Sequence, residues 1–394
     1  MSQFDVIVVG TGAMGSAAAM QLARRGRKVL GIDRYAAGHA HGSSHGETRI
    51  IRQAYFEHPS YVPLLLRAYE LWHELEQHVG EQLFYQVGLL QAGPADGFVV
   101  KGVLQSAGEH QLHVESLSPS QSRQRFPGLV IDPSMACVLE PAAGFLLVER
   151  CVRAHQRAAE DAGAVFAIGQ VTRIEPTSDG ARVWVDGEVH EAAKVVITAG
   201  SWADSLLSPI WPTLPKLSVL RKYVCWLRAK SDLYSAASGM PTWLVEAPEG
   251  VFYGFPQLGK ATPGEGGVKV AEHSGGELVE TSVAGPLPAS TPVDSRQSRE
   301  RILGFVRRSM PDLTEEVVAE SHCYYTMSAD EHFLVGMLPG YSQLIYAAGF
   351  SGHGFKFASV MGEVLSDLAL DGGSQLPIGW LSHDRFAGSS SGHR

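Results

Sequence analysis

The sequence holds few cysteines, and nothing in their spacing pairs them. Its four cysteines are Cys137, Cys151, Cys225 and Cys323, and no CxxC pair occurs among them. This pattern disfavours both a zinc site and a disulfide framework. We therefore predict that the chain binds no metal, and a reducing cytoplasm is its expected location.

Basic charge and long apolar runs are scarce as well. The chain has 32 Lys and Arg against 41 Asp and Glu, a formal net charge of -9. Because nucleic-acid phosphates require a basic footprint, we expect no nucleic-acid partner. The first residues run directly into a strand pattern without a basic region or a cleavage site, and the apolar runs have the length of strands. We therefore expect neither a secretory signal nor a membrane span.

The remaining composition is that of a globular enzyme. Hydrophobic residues make up 45% and charged residues 19% of the 394 positions, which is enough for a large core. A βαβ unit is predicted at the start, with strand Phe4–Val9, helix Ser16–Arg25 and strand Lys28–Ile32. Further helices are predicted over Tyr61–Leu75 and Val148–Ala162.

A glycine fingerprint lies inside the βαβ unit. Gly10, Gly12 and Gly15 follow the first strand and open the helix, and Asp33 follows the second strand. In this pattern the first glycine permits a tight turn, the second lets the backbone approach a pyrophosphate, and the third allows close packing of helix on strand. The acidic residue can accept hydrogen bonds from a ribose. The motif predicts dinucleotide binding but does not distinguish FAD from NAD.

Two arginines three positions apart follow a second glycine-containing segment. On a helical turn, Arg49 and Arg52 would point the same way. A solvent-exposed basic face is one interpretation, but the neighbouring Ile50, Ile51 and Ala54 favour partial burial. A buried guanidinium needs an anionic partner, which the carboxylate of a substrate could supply through a bidentate bond.

A third glycine-rich segment, Gly349–Lys356, lies between the last predicted strand, Leu344–Ala348, and the last predicted helix. Backbone amides exposed at a helix N-terminus suit the electron-rich edge of a reduced flavin ring. The alternative is an ordinary turn into a helix. A lysine between Phe355 and Phe357 argues against that alternative and favours flavin over nicotinamide.

These segments together resemble the monomeric sarcosine oxidase family, which also contains N-methyltryptophan oxidase and pipecolate oxidase. The matching stretches extend over nearly the whole chain and are Gly10–Gly15, Asp33, His41–Tyr55, Tyr253–Pro256, Lys269–His273, Cys323–Phe333 and Gly349–Phe357. The resemblance implies an FAD-dependent amine oxidase. Such an enzyme oxidises the C–N bond of a small secondary amino acid to an imine and passes the electrons to dioxygen, which gives hydrogen peroxide.

The resemblance also implies individual roles. Cys323 matches the cysteine that is linked covalently to the flavin 8α-methyl group; a buried structural cysteine is the alternative, and it is the interpretation kept for the other three. Lys269 matches the lysine over the flavin that promotes the reaction with dioxygen, with a surface lysine as the alternative. Arg52 and Lys356 match the pair that binds the substrate carboxylate.

Other matching residues complete the expected site. His273 and Tyr325, together with Lys269 and Arg49, are the predicted catalytic residues, and Tyr253 is a predicted substrate contact. His273 alone could equally be a core or surface histidine, since the chain has 16. The predicted cofactor-binding set is Gly10, Gly12, Gly15, Asp33, His45, Thr48, Arg49, Val171, Cys323, Gly352, His353, Gly354 and Lys356.

The expected architecture is a mixed α/β (α+β) fold in two parts. An FAD-binding Rossmann-like domain is predicted from residues 1–85, 140–215 and 320–394, and an inserted antiparallel-sheet substrate domain from residues 86–139 and 216–319. From about Pro215 to about Asp294 the sequence is rich in proline and glycine, and short strands are expected there. We expect a monomer whose partners are a small amine substrate and dioxygen.

The inserted part is where the resemblance weakens. Trp243–Val245 and a glycine-rich loop, Gly259–Gly267, are expected to shape the substrate pocket, and Glu47 and Gln53 differ from the aspartate and histidine of bacterial members. The substrate could therefore be sarcosine, a bulkier N-methyl amino acid or a cyclic imino acid. A flavoprotein dehydrogenase that does not use oxygen, a nicotinamide-dependent dehydrogenase and a flavin-binding sensor are the remaining alternatives.

Overall fold

The computed structural model describes residues 4–259, 264, 266–281, 285–287 and 292–386. Most of the predicted loop Gly259–Gly267 lies outside the described residues, because residues 260–263 and 265 are not among them.

The described residues form twenty strands and eight α-helices. The strands are β1 (Phe4–Val9), β2 (Val29–Asp33), β3 (Thr48–Ile51), β4 (Phe84–Tyr85), β5 (Leu89–Gly93), β6 (Glu115–Leu117), β7 (Ala136–Glu140), β8 (Gly144–Leu147), β9 (Val165–Ile168), β10 (Val171–Pro176), β11 (Ala181–Val185), β12 (Glu188–Ile197), β13 (Ser218–Ala229), β14 (Thr242–Ala247), β15 (Gly250–Gly254), β16 (Val268–Glu272), β17 (Glu277–Val279), β18 (Leu313–Met327), β19 (Leu334–Leu338) and β20 (Tyr341–Ala348). The helices are α1 (Ala13–Arg24), α2 (Val62–Val79), α3 (Phe98–His110), α4 (Pro119–Arg125), α5 (Val148–Asp161), α6 (Ala203–Leu207), α7 (Pro292–Ser309) and α8 (Ala358–Asp371). Within the part of the chain that is described, no helix is long and apolar enough to cross a bilayer.

An eight-stranded sheet carries the nucleotide fingerprint. Strand β1 lies at its centre and pairs in parallel with both β2 and β12, and β20 pairs in parallel with β12. The continuous apolar run of β1 suits this position, because a central parallel strand is covered on both faces. The predicted βαβ unit is therefore confirmed, with its helix beginning at Ala13 rather than Ser16.

Helices α1 and α8 pack closely on one face of this sheet. A Cβ atom added to Gly362 of α8 would lie 2.6 Å from the backbone carbon of Ala17 in α1. Ala17, Ala18 and Ala19 are fully buried, so small side chains on both helices allow the two backbones to approach. This contact fixes α8, and with it the glycine-rich segment before α8, against the start of the nucleotide-binding unit.

A nine-stranded sheet forms the second layer. Its path is β17-β13-β16-β15-β14-β5-β7-β6, and β18 pairs with β13. The expectation of short strands between about Pro215 and Asp294 is wrong for β13, which spans 12 residues. Residue 320, the predicted domain boundary, falls within β18, and the division into two domains stays a prediction. A small third sheet has the strand order β3-β8-β4.

Candidate active site

The glycine turn after β1 has the geometry that its motif predicts. Gly10 adopts a φ of +86°, which favours glycine. A Cβ on Gly15 would collide with the carbonyl oxygen of Gly10, so only glycine lets α1 approach the turn. At Gly12 the nearest atom to an added Cβ is Ser44 Oγ at 3.4 Å. The backbone at Gly12 therefore remains accessible to a ligand.

Asp33 ends β2 beside this turn. Its Oδ2 atom accepts a hydrogen bond of 2.7 Å from the amide of Thr11, and Oδ1 accepts one of 3.1 Å from the amide of Tyr35. These amides hold the carboxylate at the edge of a cleft that Val171 also lines. The carboxylate is thus placed to accept further hydrogen bonds from a ribose.

This cleft runs from the glycine turn into the space between the two large sheets. The predicted site residues that line it are Gly10, Gly12, Asp33, Arg49, Arg52, Val171, Tyr253, His273, Tyr325, Gly352, His353, Gly354 and Lys356. The other predicted residues are buried in the protein around it, and they are Gly15, His45, Thr48, Lys269 and Cys323.

The donors and acceptors around the cleft fit a dinucleotide. The N-terminus of α1 and the accessible backbone of Gly12 suit a pyrophosphate, and Asp33 suits a ribose. The buried hydroxyls of Ser201 and Thr326 line the cleft and have no hydrogen-bond partner among the described residues. Since buried polar groups are normally paired, these two hydroxyls are further candidates to contact a bound cofactor.

Three residues of the glycine-rich segment before α8 adopt a left-handed backbone conformation. Gly349, Ser351 and Gly352 have φ values of +61°, +47° and +81°. A Cβ on Gly352 would collide with the ring of Tyr325. Gly352 is therefore required both by its backbone and by its neighbour, and the segment places a predicted cofactor contact directly against a predicted catalytic residue.

Lys269 points inward from the fully buried strand β16, as predicted, and is 1% exposed. Its Nζ atom donates to the carbonyl oxygens of Gly46 and, at 2.8 Å, Thr48. Burial, followed by the charge of Arg49, lowers the pKa of Lys269 to about 7. Among the described residues, the ammonium is thus held by neutral carbonyls and contacts no carboxylate.

The loop that holds Lys269 is itself fixed by acidic side chains. Glu47 has a φ of +71°, which turns the carbonyls before and after it toward the lysine. Its Oε2 atom accepts a 2.7 Å hydrogen bond from Trp226 Nε1. Glu149, in the first turn of α5, accepts from the amides of Gly46 and Glu47 at 2.7 and 3.2 Å.

Two further predicted cofactor contacts lie in this region. Burial, followed by the charge of Arg49, lowers the pKa of His45 to about 3, so this imidazole is neutral. Arg49 donates from Nη1 to Thr48 O at 2.9 Å and from Nη2 to Ser43 O at 3.1 Å. Arg49 is therefore oriented by backbone carbonyls, with its charge at the cleft wall.

Arg49 and Arg52 do not share a helical turn. Arg49 lies in strand β3, which ends at Ile51, immediately before Arg52. Arg52 is 3% exposed, as the apolar neighbours predicted, but its anionic partner is a protein residue, Glu57. Burial opposes the charge on Glu57, yet the guanidinium of Arg52 and the nearby His353 and Lys356 together outweigh it and lower the pKa of Glu57 to about 2. Sequence reasoning missed this pair.

Lys356 reaches the same end of the cleft from the turn that precedes α8. Its Nζ atom donates to His353 O at 2.7 Å and lies 3.5 Å from Tyr55 Oη. Burial, followed by the charge of Arg52, lowers the pKa of Lys356 to about 7. His353 Nδ1 lies 2.6 Å from the Tyr55 hydroxyl, and its Nε2 lies 3.0 Å from Glu331 O. Because a carbonyl only accepts, Nε2 carries the proton and Nδ1 of the neutral ring accepts from Tyr55.

His273, Tyr325 and Tyr253 gather at the wall formed by the nine-stranded sheet. His273 Nδ1 lies 3.4 Å from the Tyr325 hydroxyl. Burial, followed by the charge of Lys222, lowers the pKa of His273 to about 3, and burial raises that of Tyr253 to about 12. Both groups are therefore uncharged and can offer hydrogen bonds to a substrate.

The segment Trp243–Val245 shapes this wall through one residue. Leu244 lines the cleft beside Tyr253, its partner on β15. Trp243 and Val245 pack instead into the core on the opposite face of the sheet. Alternation along a strand explains why the expectation for these two residues is wrong.

Cys323 lies on β18 and is 1% exposed. It is two residues before Tyr325, on the same face of the strand, and opposite Lys222 on β13. The thiol is close enough to Arg49, Lys222 and Lys269 to influence the pKa of each.

The comparisons with known proteins agree with this geometry. The family described as FAD dependent oxidoreductase matches residues 5–368. The monomeric sarcosine oxidase of Bacillus sp. (strain B-0618) is 37% identical over 388 residues, covering 98% of this chain and 97% of that protein. The N-methyl-L-tryptophan oxidase of Yersinia pestis (strain Pestoides F) is 36% identical over 385 residues, covering 97% and 99%.

A solved structure shows the same fold. NikD, described as an unusual amino acid oxidase essential for nikkomycin biosynthesis, superimposes with a TM-score of 0.83 at 25% identity, and the match covers 97% of this chain and 98% of NikD. The expected resemblance and the mixed α/β fold are confirmed. This chain belongs to the FAD dependent oxidoreductase family and is an FAD-dependent oxidoreductase related to the sarcosine and N-methyltryptophan oxidases.

Proposed function

We propose that the protein is an FAD-dependent oxidase of N-methylated α-amino acids, converting the C–N bond to an imine and dioxygen to hydrogen peroxide. The names of its relatives, sarcosine oxidase and N-methyl-L-tryptophan oxidase, support this substrate class. The observation that carries the proposal is that one cleft connects a dinucleotide cradle at Gly12 to the buried cations Arg52 and Lys356. A cofactor and an α-carboxylate can therefore bind side by side.

The cations would fix the carboxylate end of the substrate. Arg52 is flanked by the rings of Tyr55 and Phe56, each centred 4.1 Å from its guanidinium carbon, and an apolar surrounding strengthens its attraction for an anion. Glu57 already occupies Nη2. A substrate carboxylate must therefore displace Glu57 or bind beside it.

The amine end would meet uncharged groups. His273, neutral because its pKa is lowered to about 3, can form a hydrogen bond with the substrate nitrogen without repelling its charge. Leu244, Tyr253 and Phe56 line the same space and would cover the N-alkyl group. A secondary amine with a short apolar substituent suits this lining.

FAD, when bound, supplies the capacity to take two electrons from the amine and to return them to an acceptor. The protein's contribution to the second half is Lys269, whose buried ammonium would stabilise negative charge that forms on dioxygen. Arg49 and Lys222 add positive charge near Cys323. We propose that Cys323 forms the covalent 8α-S-cysteinyl link to the cofactor.

A peroxide-coupled screen of the purified yellow protein tests this function. Sarcosine, N-methyl-L-tryptophan, N-methylalanine, pipecolate and proline would be compared with the matching primary amino acids. We expect turnover with at least one N-methyl amino acid and at least 10-fold less with its primary counterpart. Preference for pipecolate or proline would show that the substrates are cyclic imino acids instead. Oxidation of a substrate without peroxide would indicate a dehydrogenase.

A further inference from the structure

Lys222 is a buried cation whose hydrogen bonds are not explained by the positive charge that it adds near Cys323. It lies on β13, which pairs with β18 on one side and with β16 and β17 on the other, and it is 3% exposed. A buried lysine loses its hydration, which costs free energy unless the ammonium is otherwise satisfied. The groups that contact the Lys222 ammonium should therefore indicate its role.

The ammonium binds three consecutive backbone carbonyls. Nζ donates to His273 O at 2.9 Å, Ser274 O at 2.7 Å and Gly275 O at 2.6 Å. A lysine has three N–H donors, so all of them are used on one turn. That turn joins β16 to β17 and begins with the predicted catalytic histidine.

The same side chain contacts the strand on the other side of β13. Its Nζ atom lies 5.2 Å from the centre of the Tyr325 ring, within cation–π range. Lys222 is also directly opposite Cys323 in the antiparallel pair of β13 and β18, which places the two side chains on one face of the sheet. Lys222 thus links the turn at His273 to the strand that carries Cys323 and Tyr325.

The two linked groups meet in the cleft. His273 Nδ1 and the Tyr325 hydroxyl are 3.4 Å apart. His273 follows β16 and Tyr325 lies on β18, and these two strands are not adjacent because β13 lies between them. Pairing with β15 extends to the start of the turn, where the His273 amide donates to Val251 O at 2.7 Å and Ser274 Oγ accepts from the Val251 amide at 3.0 Å. The three bonds from Lys222 fix the carbonyl side of the same turn.

We propose that Lys222 is a positioning residue that holds His273 against Tyr325 and so determines how tightly the amine end of the substrate is bound. This inference rests on the proposed function for its substrate, but its structural part does not. Removing the ammonium leaves three carbonyls without their donor. His273 and Ser274 are half-buried and Gly275 is exposed, so the turn can shift toward water to find other donors. A displacement of about 1 Å at a positioning group can lower catalytic efficiency roughly 100-fold.

Lys222→Met tests the inference, with Lys230→Met as the matched control. Lys230 follows the same strand, is exposed, and donates to Pro311 O at 3.1 Å, so the control removes a lysine–carbonyl bond outside the cleft. The first measurement is amide hydrogen exchange of peptides spanning residues 272–281, which requires no substrate. The second is anaerobic flavin reduction by the N-methyl amino acid that wild type oxidises fastest, which separates the apparent Kd from the limiting rate.

We expect faster exchange in this turn and an apparent Kd raised roughly 10- to 100-fold for Lys222→Met, with a smaller change in limiting rate and neither effect in Lys230→Met. Lys222→Arg should recover part of the loss. Unchanged exchange, or a fall in limiting rate at constant Kd, would overturn the positioning role. If Lys222→Met does not fold, Lys222→Gln, which keeps two N–H donors, is held to the same expectations. If none of the amines reduces the flavin of the wild-type protein, the proposed function alone is contradicted, because the exchange result does not depend on it.

Discussion

Glu57 holds Arg52 at the end of the cleft that we propose for the substrate: both carboxylate oxygens accept hydrogen bonds from Arg52 Nη2, at 2.7 and 2.6 Å. The pair is nearly buried, with the two side chains 3% and 14% exposed. A buried cation that is satisfied by a protein carboxylate is less available to a substrate carboxylate. Substrate binding at this position is therefore a competition, and Glu57 should weaken it.

Neutralising Glu57 tests that competition. In Glu57→Gln we expect the apparent Kd for the amino acid to fall roughly 10-fold, which corresponds to about 1.4 kcal/mol. The substrate-free protein should lose stability, because Arg52 keeps its charge without its anionic partner. Glu70→Gln, in an exposed ion pair with Arg67, is the control. Reductive titration and thermal unfolding measure both effects, and weaker binding in Glu57→Gln would show that Glu57 assists the substrate.

Lys269→Met should separate the two halves of the catalytic cycle. Because one preorganised electrostatic group contributes roughly 100-fold or more, we expect reoxidation by dioxygen to slow by about that factor while anaerobic reduction changes far less. Stopped-flow measurement of each half separately checks this. Equal slowing of both would contradict the assigned role, and Lys101→Met, on the exposed face of α3, controls for loss of a lysine.

The pH dependence of reoxidation follows from the same lysine. Its pKa is lowered to about 7 by burial and by Arg49, so the ammonium is present below that pH and is lost as the pH rises through it. The rate with dioxygen should therefore fall in wild type between about pH 6 and 8, and Lys269→Met should show no such fall. A rate that rises over this range would contradict the assignment.

Covalent attachment is tested on Cys323 with a second buried cysteine as its control. Acid precipitation should leave the yellow colour in the pellet for wild type and for Cys137→Ala. For Cys323→Ala, the colour should move to the supernatant as FAD. Free FAD from wild type would contradict the link, and so would retention of the colour by the Cys323→Ala pellet.

Substitutions of Gly12 and Gly15, two of the three fingerprint glycines, should affect different properties of the protein. Gly12→Ala adds a methyl group whose nearest neighbour is 3.4 Å away, so the protein should fold to within about 0.5 kcal/mol of wild type yet retain less FAD. Gly15→Ala meets the backbone of Gly10 and should lose about 1–3 kcal/mol. Denaturant unfolding and flavin content of the purified proteins distinguish the two, and equal losses of stability would contradict the geometry.

The sequence could predict the parts of this molecule that depend on local pattern. The span Phe4–Val9 is recovered as β1, and Gly10, Gly12, Gly15 and Asp33 meet where their motif predicts, because their spacing has one structural solution. The helices predicted from Tyr61 and Val148 begin within one residue of those positions. Periodic burial along one element is visible in a single sequence.

The contacts between distant elements could not be predicted in this way. No motif marks Lys222 in the sequence, and only the pairing of β13 with β18 places it opposite Cys323. Glu140 is 87 positions from Gln53, yet its carboxylate accepts a 2.6 Å hydrogen bond from that amide and steadies the segment after Arg52. The pairing of Glu57 with Arg52 could be predicted from the sequence, because a carboxylate only five positions after a buried arginine is a candidate partner for it.

Anaerobic titration of the yellow protein with the preferred N-methyl amino acid, followed by readmission of oxygen, tests the central claim most directly. We predict that the flavin absorbance bleaches with one equivalent of amine. Oxygen should then restore it with one hydrogen peroxide released per flavin. Absorbance that no N-methyl amino acid can bleach, or that returns without peroxide, would contradict the account.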